Sequence, residues 1–468
     1  MDFERAMAKS NQEKKELLGK EGAVILDTIR RLNRRNAVDN LLKILKKTHP
    51  ADIAWVFRHL TSPERKTVFN IVAQTDMVGE FMAELDQAIA LEVVEDLTPK
   101  FMVGIIKEMA SDDAAELLDL LPSDTANDIR QLMHKEDLEE VDELLQHNPE
   151  TAGRLMSPDF MALDQELSVG DAIQRVQERS EDMEMVFYLY IVHGDQQLSG
   201  VLSLRELLTH PPYRLLRNIM NTNVIAVSTD TDQEEVAHVV SQYNFLAVPV
   251  VDSTRKLVGI VTVDDIIDVI REEATEDFLH MAGVGKDREI LLKSTWDNAL
   301  TRAPWLFASW IGGIMAVFII SYFEAEIKKV MALAAFIPIV MGMGGNIATQ
   351  SSTIVVRGMA TGRINMRELS RVIFKEARVG LILGSVYGLF LGILAFFGYP
   401  ETVNLGLVVG LSVLFAMTLA STVGTFVPLI LRRLDVDAAI ATGPFVTTAI
   451  DILGVTGYFL IAKFLLKL

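Results

Sequence analysis

Apolar residues are distributed very differently along the two parts of this 468-residue chain. Residues 20–150 show short amphipathic segments, and residues 155–270 add brief apolar runs typical of buried strands. From residue 303 onward, five apolar stretches are long enough to cross a bilayer at roughly 20 residues each. They cover residues 303–323, 330–356, 379–398, 405–431 and 439–462. The pattern predicts a water-soluble body followed by five transmembrane helices.

Residues 20–150 repeat a helix-start pattern and show no strand pattern. The segments SPER, SDDA and PSDT each precede an amphipathic stretch, with Ser, Thr or Asp at the capping position and Pro near several starts. Recurrence of one short unit is typical of stacked helices. We therefore predict an all-α helical domain built as a small solenoid.

Residues 155–270 contain a weak internal duplication. LMSPDFMALDQELSVGDAIQRVQ aligns with IMNTNVIAVSTDTDQEEVAHVVS, which begins 64 residues later, and LSGVLSLRELL aligns with LVGIVTVDDII, which begins 59 residues later. Each copy predicts a short strand, a helix, a strand pair and a second helix. The arrangement resembles a tandem pair of cystathionine-β-synthase (CBS) motifs, which usually sense adenine nucleotides or metals.

Charge divides the chain at the same place as hydropathy. The whole chain has a formal net charge of −19, and residues 303–468 contain 12 Lys and Arg against 8 Asp and Glu, which leaves −23 on residues 1–302. An acidic body argues against nucleic acid as a partner, because binding phosphates needs Lys and Arg, and it is compatible with cations. The absence of cysteine excludes disulfides and thiolate metal sites.

Basic residues set the expected orientation of the spans. The loop at 357–378 carries six Lys and Arg against two Glu, and Arg432 and Arg433 follow the fourth span. Such loops stay on the cytoplasmic side, and residues 1–20 contain no apolar core of signal-peptide length. We expect the N-terminal domains in the cytoplasm and the C-terminus outside.

One carboxylate lies inside an apolar stretch. Asp451, in GPFVTTAIDILG, is the only acidic residue within the five predicted spans, and no Lys or Arg precedes Lys463 in them. A charge at the centre of a membrane helix costs about 2.5–3.5 kcal/mol on insertion scales. A hydrated path or a bound cation would offset this cost, and a protonated, merely tolerated Asp is the alternative. Pro444 and its neighbouring glycines loosen the helix nearby.

A second polar patch ends the second predicted span, in FIPIVMGMGGNIATQSSTIVVRG. Three glycines are followed there by Asn, Gln, Ser and Thr residues. Asn346 and Gln350 are four residues apart on one helical face, and we predict that they look into a polar cavity. The Ser and Thr residues are explained equally well by close helix packing, with their hydroxyls bonded back to carbonyls.

The densest acidic signal is VDDIIDVIREEATEDF. Between Asp264 and Asp277 it contains seven carboxylates and a single base, Arg271. Divalent cations with oxygen ligands would relieve the repulsion along one helix face, and a solvated acidic face is the alternative. That face comprises Asp265, Asp268, Glu272 and Glu276, and an earlier acidic group comprises Asp230, Asp232, Glu234 and Glu235.

The order of these parts resembles the MgtE family of magnesium channels over nearly the whole chain. The motifs that carry the resemblance are VTVDDIIDVIREEATEDF, FIPIVMGMGGN, RVIFKEARVG and GPFVTTAIDILG. It implies a multidomain fold with an all-α helical N-terminal superhelix (1–150), an α/β tandem CBS domain (151–271), a connecting (plug) helix (272–302) and an all-α five-helix transmembrane pore domain (303–468). It also implies a homodimer in the bacterial cytoplasmic (inner) membrane that handles Mg²⁺ and is not an enzyme.

The resemblance further implies roles for single residues. Asp451 corresponds to a pore carboxylate that holds hydrated Mg²⁺ together with its symmetry mate. Thr262, in GIVTVDD, fits a CBS nucleotide pattern and makes ATP a further candidate ligand. Three positions, Asn244, Ile347 and Ala348, depart from the family pattern. The pore-lining positions are Asn346, Gln350, Pro444, Thr447 and Thr448. The residues expected to sense cytosolic Mg²⁺ are Asp232, Glu234, Asp265, Asp268, Glu273, Glu276 and Asp277.

These features predict a Mg²⁺-selective channel for influx that cytosolic Mg²⁺ closes. The alternative is a secondary transporter that couples Mg²⁺, or another divalent cation, to Na⁺ or H⁺. Coupling would need further charges in the membrane, and the predicted spans contain no second carboxylate. A membrane enzyme regulated by CBS domains would need an intramembrane His or paired carboxylates, and all eight His precede residue 303.

Overall fold

The computed structural model describes residues 22–95, 97–179, 183, 185–284, 294–361, 363–364, 369–402, 404–434, 438 and 443–467. The chain forms two compact units that divide between Ile270 and Arg271. The first unit holds the short N-terminal helices and the CBS pair. The second holds the long apolar helices.

Short helices make up the described chain from residue 22 to Leu145. Their starts follow the predicted signals: Pro50 and Pro99 open α3 and α7, and the N–H of Thr61 donates to the Glu64 carboxylate at 3.0 Å ahead of α4. The helices are α1 (22–34), α2 (Val38–Leu45), α3 (Pro50–Arg58), α4 (Ser62–Val72), α5 (Val78–Ala83), α6 (Gln87–Val94), α7 (Pro99–Ile106), α8 (Ser111–Leu120), α9 (Ser123–Arg130) and α10 (Lys135–Leu145).

These helices stack in a regular order. Helix α2 packs on α4, α3 on α5, α4 on α6, α5 on α7, α7 on α9 and α8 on α10. Polar links join successive layers: Arg58 contacts Asp86 at 2.7 Å, and the hydroxyl of Ser111 donates to Glu140 at 2.9 Å. Most of these helices thus pack against the helix two places further on, which confirms the predicted superhelix.

The two CBS copies share one topology. In the first copy β1 is parallel to β2 and β2 is antiparallel to β3, and β4, β5 and β6 repeat this order in the second copy. This repetition confirms the predicted duplication. The elements are α11 (Ala152–Leu155), β1 (Phe160–Asp164), α12 (Val169–Arg179), β2 (Met185–His193), β3 (Gln197–Ser203), α13 (Leu204–Thr209), β4 (Val227–Ser228), α14 (Gln233–Tyr243), β5 (Ala247–Val251), β6 (Leu257–Thr262) and α15 (Val263–Met281).

Five helices of the described chain are long and apolar enough to span a membrane, as predicted. They are α16 (Thr295–Tyr322), α18 (Ala332–Ala360), α19 (Leu369–Gly398), α20 (Leu405–Arg433) and α21 (Pro444–Leu466), and a short helix, α17 (Glu324–Lys329), joins the first two. The predicted connecting helix at 272–302 falls on the second half of α15 and the start of α16. Residues 285–293 between them lie outside the described residues.

One predicted boundary is wrong. The residues from Leu369 to Arg378, assigned above to a cytoplasmic loop, are helical and form the first turns of α19. Their basic side chains, including Arg371, Lys375 and Arg378, are exposed, while Glu376 is buried. A helix can carry charges on its solvent side and still pack its other side, so the basic residues marked the orientation but not the helix end.

Helices α19 and α20 are held together through a glycine ladder. Gly380, Gly384, Gly388 and Gly392 recur at every fourth residue of α19 and face α20. A Cβ added to Gly388 would lie 2.5 Å from the carbonyl oxygen of Gly410. Small residues at this spacing let two helix backbones approach closely in a membrane. This pair is the most extensively packed in the second unit.

We expect Gly388→Ala to destabilise the transmembrane unit by roughly 1–3 kcal/mol, because the new methyl group meets backbone rather than a movable side chain. Thermal unfolding of the purified protein in detergent measures the change. The matched control is Gly398→Ala at the end of the same helix, where no atom lies within 4 Å of the new Cβ. Equal melting temperatures for the two variants would contradict the close packing of α19 on α20.

Candidate functional site

Asp451 lies in the second turn of α21, a helix that contacts α16, α18 and α20. Its side chain is half-buried. Among the residues that the structure describes, Asp451 has neither a hydrogen-bond nor an ion-pair partner. A carboxylate in an apolar helix without a protein partner requires water or a cation for compensation. The role of Asp451 as a pore ligand stays a prediction.

The other predicted residues of α21 lie on its inner half, before Asp451. Pro444 is the first residue of the helix. Thr447 and Thr448 are half-exposed, and Thr447 shares the face of Asp451 one turn away. Thr448 lies against α16, where a Cβ added to Gly312 would come within 1.9 Å of the Thr448 methyl group. The structure thus brings Thr447 and Asp451 together and uses Thr448 also for helix packing.

Asn346 and Gln350 form an exposed polar stripe on α18. Both side chains are exposed in the single chain and lie four residues apart. The opposite side of α18 is packed, with Ile347 and Ala348 buried and Ala348 against the backbone of Gly424 in α20. Ile347 and Ala348, which depart from the family pattern, therefore lie on the packed side of α18 and do not belong to the polar stripe.

The polar stripe and Asp451 belong to helices that touch. A Cβ added to Gly344 of α18 would lie 3.1 Å from the side chain of Ile450 on α21. Gly344 lies two residues before Asn346 on α18, and Ile450 directly precedes Asp451 on α21. Lipid offers no hydrogen bonds to Asn346 and Gln350, so their surface must face water or protein.

The predicted sensing residues fall on two helices. Asp232 is the N-cap of α14 and accepts a hydrogen bond from the N–H of Glu234 at 2.9 Å. The hydroxyl of Thr262, which is fully buried, donates to Asp265 at the start of α15. The remaining acids, Asp268, Glu273, Glu276 and Asp277, follow along α15, and Glu276 is buried. Asn244 ends α14 in the left-handed conformation that Asn tolerates well.

A single chain does not gather these acids into a metal site. Within the described residues, no three His, Asp or Glu side chains lie close enough together to hold a metal ion.

The end of the acidic helix meets the start of α21. A Cβ added to Gly443 would lie 3.5 Å from the carbonyl oxygens of both His280 and Met281. The buried His280 ring lies 6.4 Å from the Trp305 ring on α16, and Trp305 lies 6.0 Å from the Phe445 ring on α21. These contacts connect the last turn of α15 to α21 six residues before Asp451.

Sequence reasoning missed a second carboxylate, Glu376. It is 7% exposed and accepts a hydrogen bond from the Ser351 hydroxyl of α18 at 3.0 Å. The Ser421 hydroxyl of α20 donates to the Glu376 carbonyl oxygen at 2.6 Å and lies 3.2 Å from the Ser351 hydroxyl. Glu376 belongs to α19 but lies three residues before the span predicted at 379–398, so Asp451 stays the only acid within the predicted spans.

A sequence signal for Glu376 exists. It lies four residues before Gly380, so it continues the stripe that the glycine ladder buries. Charge counting hid this signal, because Glu376 stands among basic residues that belong to a cytoplasmic surface. Helical spacing counted back from the glycines would have predicted its burial.

Comparison with known protein families finds matches for the N-terminal helices, the CBS pair and the transmembrane helices. The MgtE model, described as a divalent cation transporter, matches residues 337–461, the MgtE intracellular N domain matches 48–150, and CBS domains match 152–212 and 216–272. These matches confirm the predicted fold and membrane location. They also confirm that the chain is a transporter rather than an enzyme.

Two curated relatives cover almost the whole chain. The magnesium transporter MgtE of Bacillus subtilis is 34% identical over 92% of this chain and 95% of its own length. The magnesium transporter MgtE of Thermus thermophilus is 33% identical over 91% of this chain and 95% of its own length. The crystal structure of the soluble part of a magnesium transporter has a TM-score of 0.50 and 28% identity, over 54% of this chain and 99% of that chain. The chain therefore belongs to the MgtE family of divalent cation transporters.

Proposed function

We propose that this chain is a Mg²⁺-selective channel that mediates Mg²⁺ influx. The names of its relatives from Bacillus subtilis and Thermus thermophilus, both magnesium transporters, support the choice of ion. The observation that carries the proposal is the position of Asp451, half-buried in an apolar helix and without a partner among the described residues. Such a carboxylate is stabilised by a passing cation.

The working unit that we propose is a homodimer. The exposed stripe of Asn346 and Gln350 would face a second copy across a shared path, which removes its contact with lipid. Two Asp451 carboxylates on either side of that path repel each other, and a divalent ion between them relieves the repulsion. Mg²⁺ loses its water reluctantly, so amide and carboxylate oxygens would bind its hydration shell.

The acidic residues of α14 and α15 are the proposed regulatory site. Cytosolic Mg²⁺ binding among these acids would favour the arrangement in which the end of α15 rests on the start of α21, and this closes the path. Loss of Mg²⁺ restores the repulsion and shifts the population towards the open state. Thr262 stays the proposed nucleotide position, and ATP there would lie beside Asp265 and influence the same site.

A second candidate function rests on Glu376. The predicted spans contain no second carboxylate, which counts against coupled transport, but Glu376 lies three residues before the third predicted span and is buried at the crossing of α18, α19 and α20. A buried carboxyl group that can exchange a proton is what a coupled transporter of Mg²⁺, or another divalent cation, with H⁺ would use. The channel remains the first candidate because Asp451 lies inside a predicted span, on a helix in contact with α18, whereas Glu376 precedes its predicted span.

We expect Asp451→Asn to lower Mg²⁺ uptake more than roughly tenfold, since loss of a charge-assisted contact to a cation is worth at least about 1.4 kcal/mol. Uptake is measured in a strain that lacks its own Mg²⁺ transporters. The control is Glu401→Gln, which removes the same charge from an exposed position between α19 and α20. Uptake by the Asp451 variant at the wild-type rate would exclude this residue as a pore ligand.

Neutralising Asp265, Asp268, Glu273 and Glu276 together is expected to alter inhibition by cytosolic Mg²⁺. In the wild type, millimolar Mg²⁺ is expected to protect the segment after α15 from protease, and the variant is expected to lose this protection. A second variant, Glu178→Gln with Asp195→Asn, neutralises exposed acids of the first CBS copy and should behave like the wild type. Equal protection in all three proteins would refute the regulatory site.

Recording in bilayers separates the two candidate functions. For a channel, we expect a reversal potential that follows the Mg²⁺ gradient and does not move with a pH or Na⁺ gradient, in both the wild type and Glu376→Gln. The Gln side chain keeps a hydrogen-bond acceptor for Ser351 but cannot exchange a proton. A pH-dependent reversal potential that disappears in Glu376→Gln would establish coupling instead.

A further inference from the structure

The outer half of α21, which follows Asp451 and ends at Leu466, carries an ion pair that has no role in the proposed pore or in the proposed regulatory site. Lys463 Nζ lies 2.9 Å from Glu326 Oε1, and Glu326 belongs to α17, the short helix between α16 and α18. Glu326 is 8% exposed, whereas the Lys463 side chain is about half-exposed at 49%. The hydrogen bond from Lys463 holds the pKa of Glu326 below its usual range. The pair is therefore asymmetric: the anion depends on the cation for its burial.

Two aromatic residues in the same stretch of α21 contact the ends of α16 and α18. The Tyr458 hydroxyl donates to the carbonyl oxygen of Leu333 at 2.8 Å, and the Phe459 ring stacks on Phe323 with ring centroids 4.9 Å apart. Tyr458 and Phe459 are both fully buried. Together with the ion pair, these contacts attach α21 to the turn between α16 and α18 at three points. We call Glu326, Tyr458, Phe459 and Lys463 the outer anchor.

The inner half of α21 is packed in a different way. It meets α16 at Gly312, it meets α18 at Gly344, and its own first contact with α15 is made at Gly443. The Phe445 ring adds an edge-to-face contact with Trp305 on the same half, so the inner half is held through van der Waals and ring contacts, whereas the outer half is also held by an ion pair. Asp451 lies between the two halves, 12 residues or about 18 Å along the helix from Lys463.

We propose that Glu326 and Lys463 are positioning residues for transport, because their ion pair fixes the outer half of α21 while its inner half tilts to open and close the path. The outer anchor acts on the cation only through α21, by holding Asp451 at a fixed depth. The tilting part of this inference rests on the proposed gating by cytosolic Mg²⁺. The positioning part requires only that the protein transports Mg²⁺, whether or not cytosolic Mg²⁺ closes the path.

A charge cycle tests the positioning part through Mg²⁺ uptake. Lys463→Met leaves the buried carboxylate of Glu326 without its cation and is expected to lower Mg²⁺ uptake roughly tenfold. Glu326→Gln leaves only a half-exposed Lys and is expected to lower Mg²⁺ uptake about twofold. The double variant should return to the level of Glu326→Gln, and Lys463→Arg should keep wild-type uptake. Wild-type uptake by Lys463→Met, or a double variant worse than Lys463→Met, would overturn the proposal.

The matched control lies on the same short helix. Lys328 Nζ is 2.7 Å from Glu324 Oε1, and both side chains are exposed. Lys328→Met removes an identical charge and is expected to transport like the wild type, since exposed ion pairs contribute little. Gel filtration of each variant in detergent separates a loss of folded protein from a loss of transport by folded protein.

Cross-linking tests the tilting part in a chain that has no natural cysteine. In the double variant Glu326→Cys with Lys463→Cys, a short bis-methanethiosulfonate bridge between the two cysteines is expected to leave Mg²⁺ uptake and its inhibition by Mg²⁺ within about twofold of the values for the same variant without the bridge. Cysteines at 281 and 443, bridged in the same way, are expected to abolish uptake until the bridge is reduced. Loss of uptake on bridging 326 and 463 would show that the outer half also moves and would overturn the proposal.

The outcomes for the two proposals are distinguishable. Wild-type uptake by Asp451→Asn would remove the pore role of Asp451, and absence of Mg²⁺ inhibition in the wild type would remove the gating. The charge cycle at Glu326 and Lys463 still reports on transport in either case, because it compares uptake rates and needs neither a pore assignment nor an inhibitor.

Discussion

A carboxylate inside an apolar helix is the constraint on which the transmembrane unit depends. Placing Asp451 in α21 costs about 2.5–3.5 kcal/mol on insertion scales, and the described residues supply it with no ion pair or hydrogen bond. The surrounding helices do not neutralise it. It stays half-buried on a helix that contacts α18, which carries the exposed polar stripe. Glu376 shows the other solution, because two serine hydroxyls bind its side chain and backbone and the residue is fully packed.

The five long helices divide into a rigid pair and a helix with two different halves. The glycine ladder of α19 against α20 brings backbone to within contact distance along four turns, which leaves little freedom between these helices. Helix α21 is fastened at its outer end through Glu326, Tyr458, Phe459 and Lys463 and meets glycines at its inner end. The two ends of α21 are therefore held by different kinds of contact, and Asp451 lies between them.

The acidic residues of α14 and α15 carry two kinds of role at once. Asp232 caps a helix, and Asp265 accepts the hydroxyl of Thr262, so both serve local structure as well as the proposed site. The last turn of α15 then places the backbone of His280 and Met281 beside Gly443. Helix α15 therefore carries proposed regulatory acids along its length and contacts the start of α21 at its last turn.

Local patterns in the sequence determined most of the architecture. Capping residues and prolines marked the helices of the superhelix, short apolar runs marked the CBS strands, and the lengths of apolar stretches marked the five spans. Asp451 was identified for the same reason, since it is the single charge in an otherwise uncharged stretch, whatever the fold. These features depend on residues within a few turns of one another, which is the range over which spacing and hydropathy carry information.

Only the tertiary structure decided which side of each helix is buried and by what. Glu376 stood among basic residues and looked like part of a loop, but α18 and α20 supply the hydroxyls that bury it. Lys463 looked like the last charge of a span, but α17 supplies the carboxylate that pairs with it. Ile347 and Ala348 depart from the family pattern, and the structure shows that both are buried, with Ala348 against Gly424 of α20. In each case the deciding partner lies far away in sequence, and contacts of that kind leave no local spacing to read.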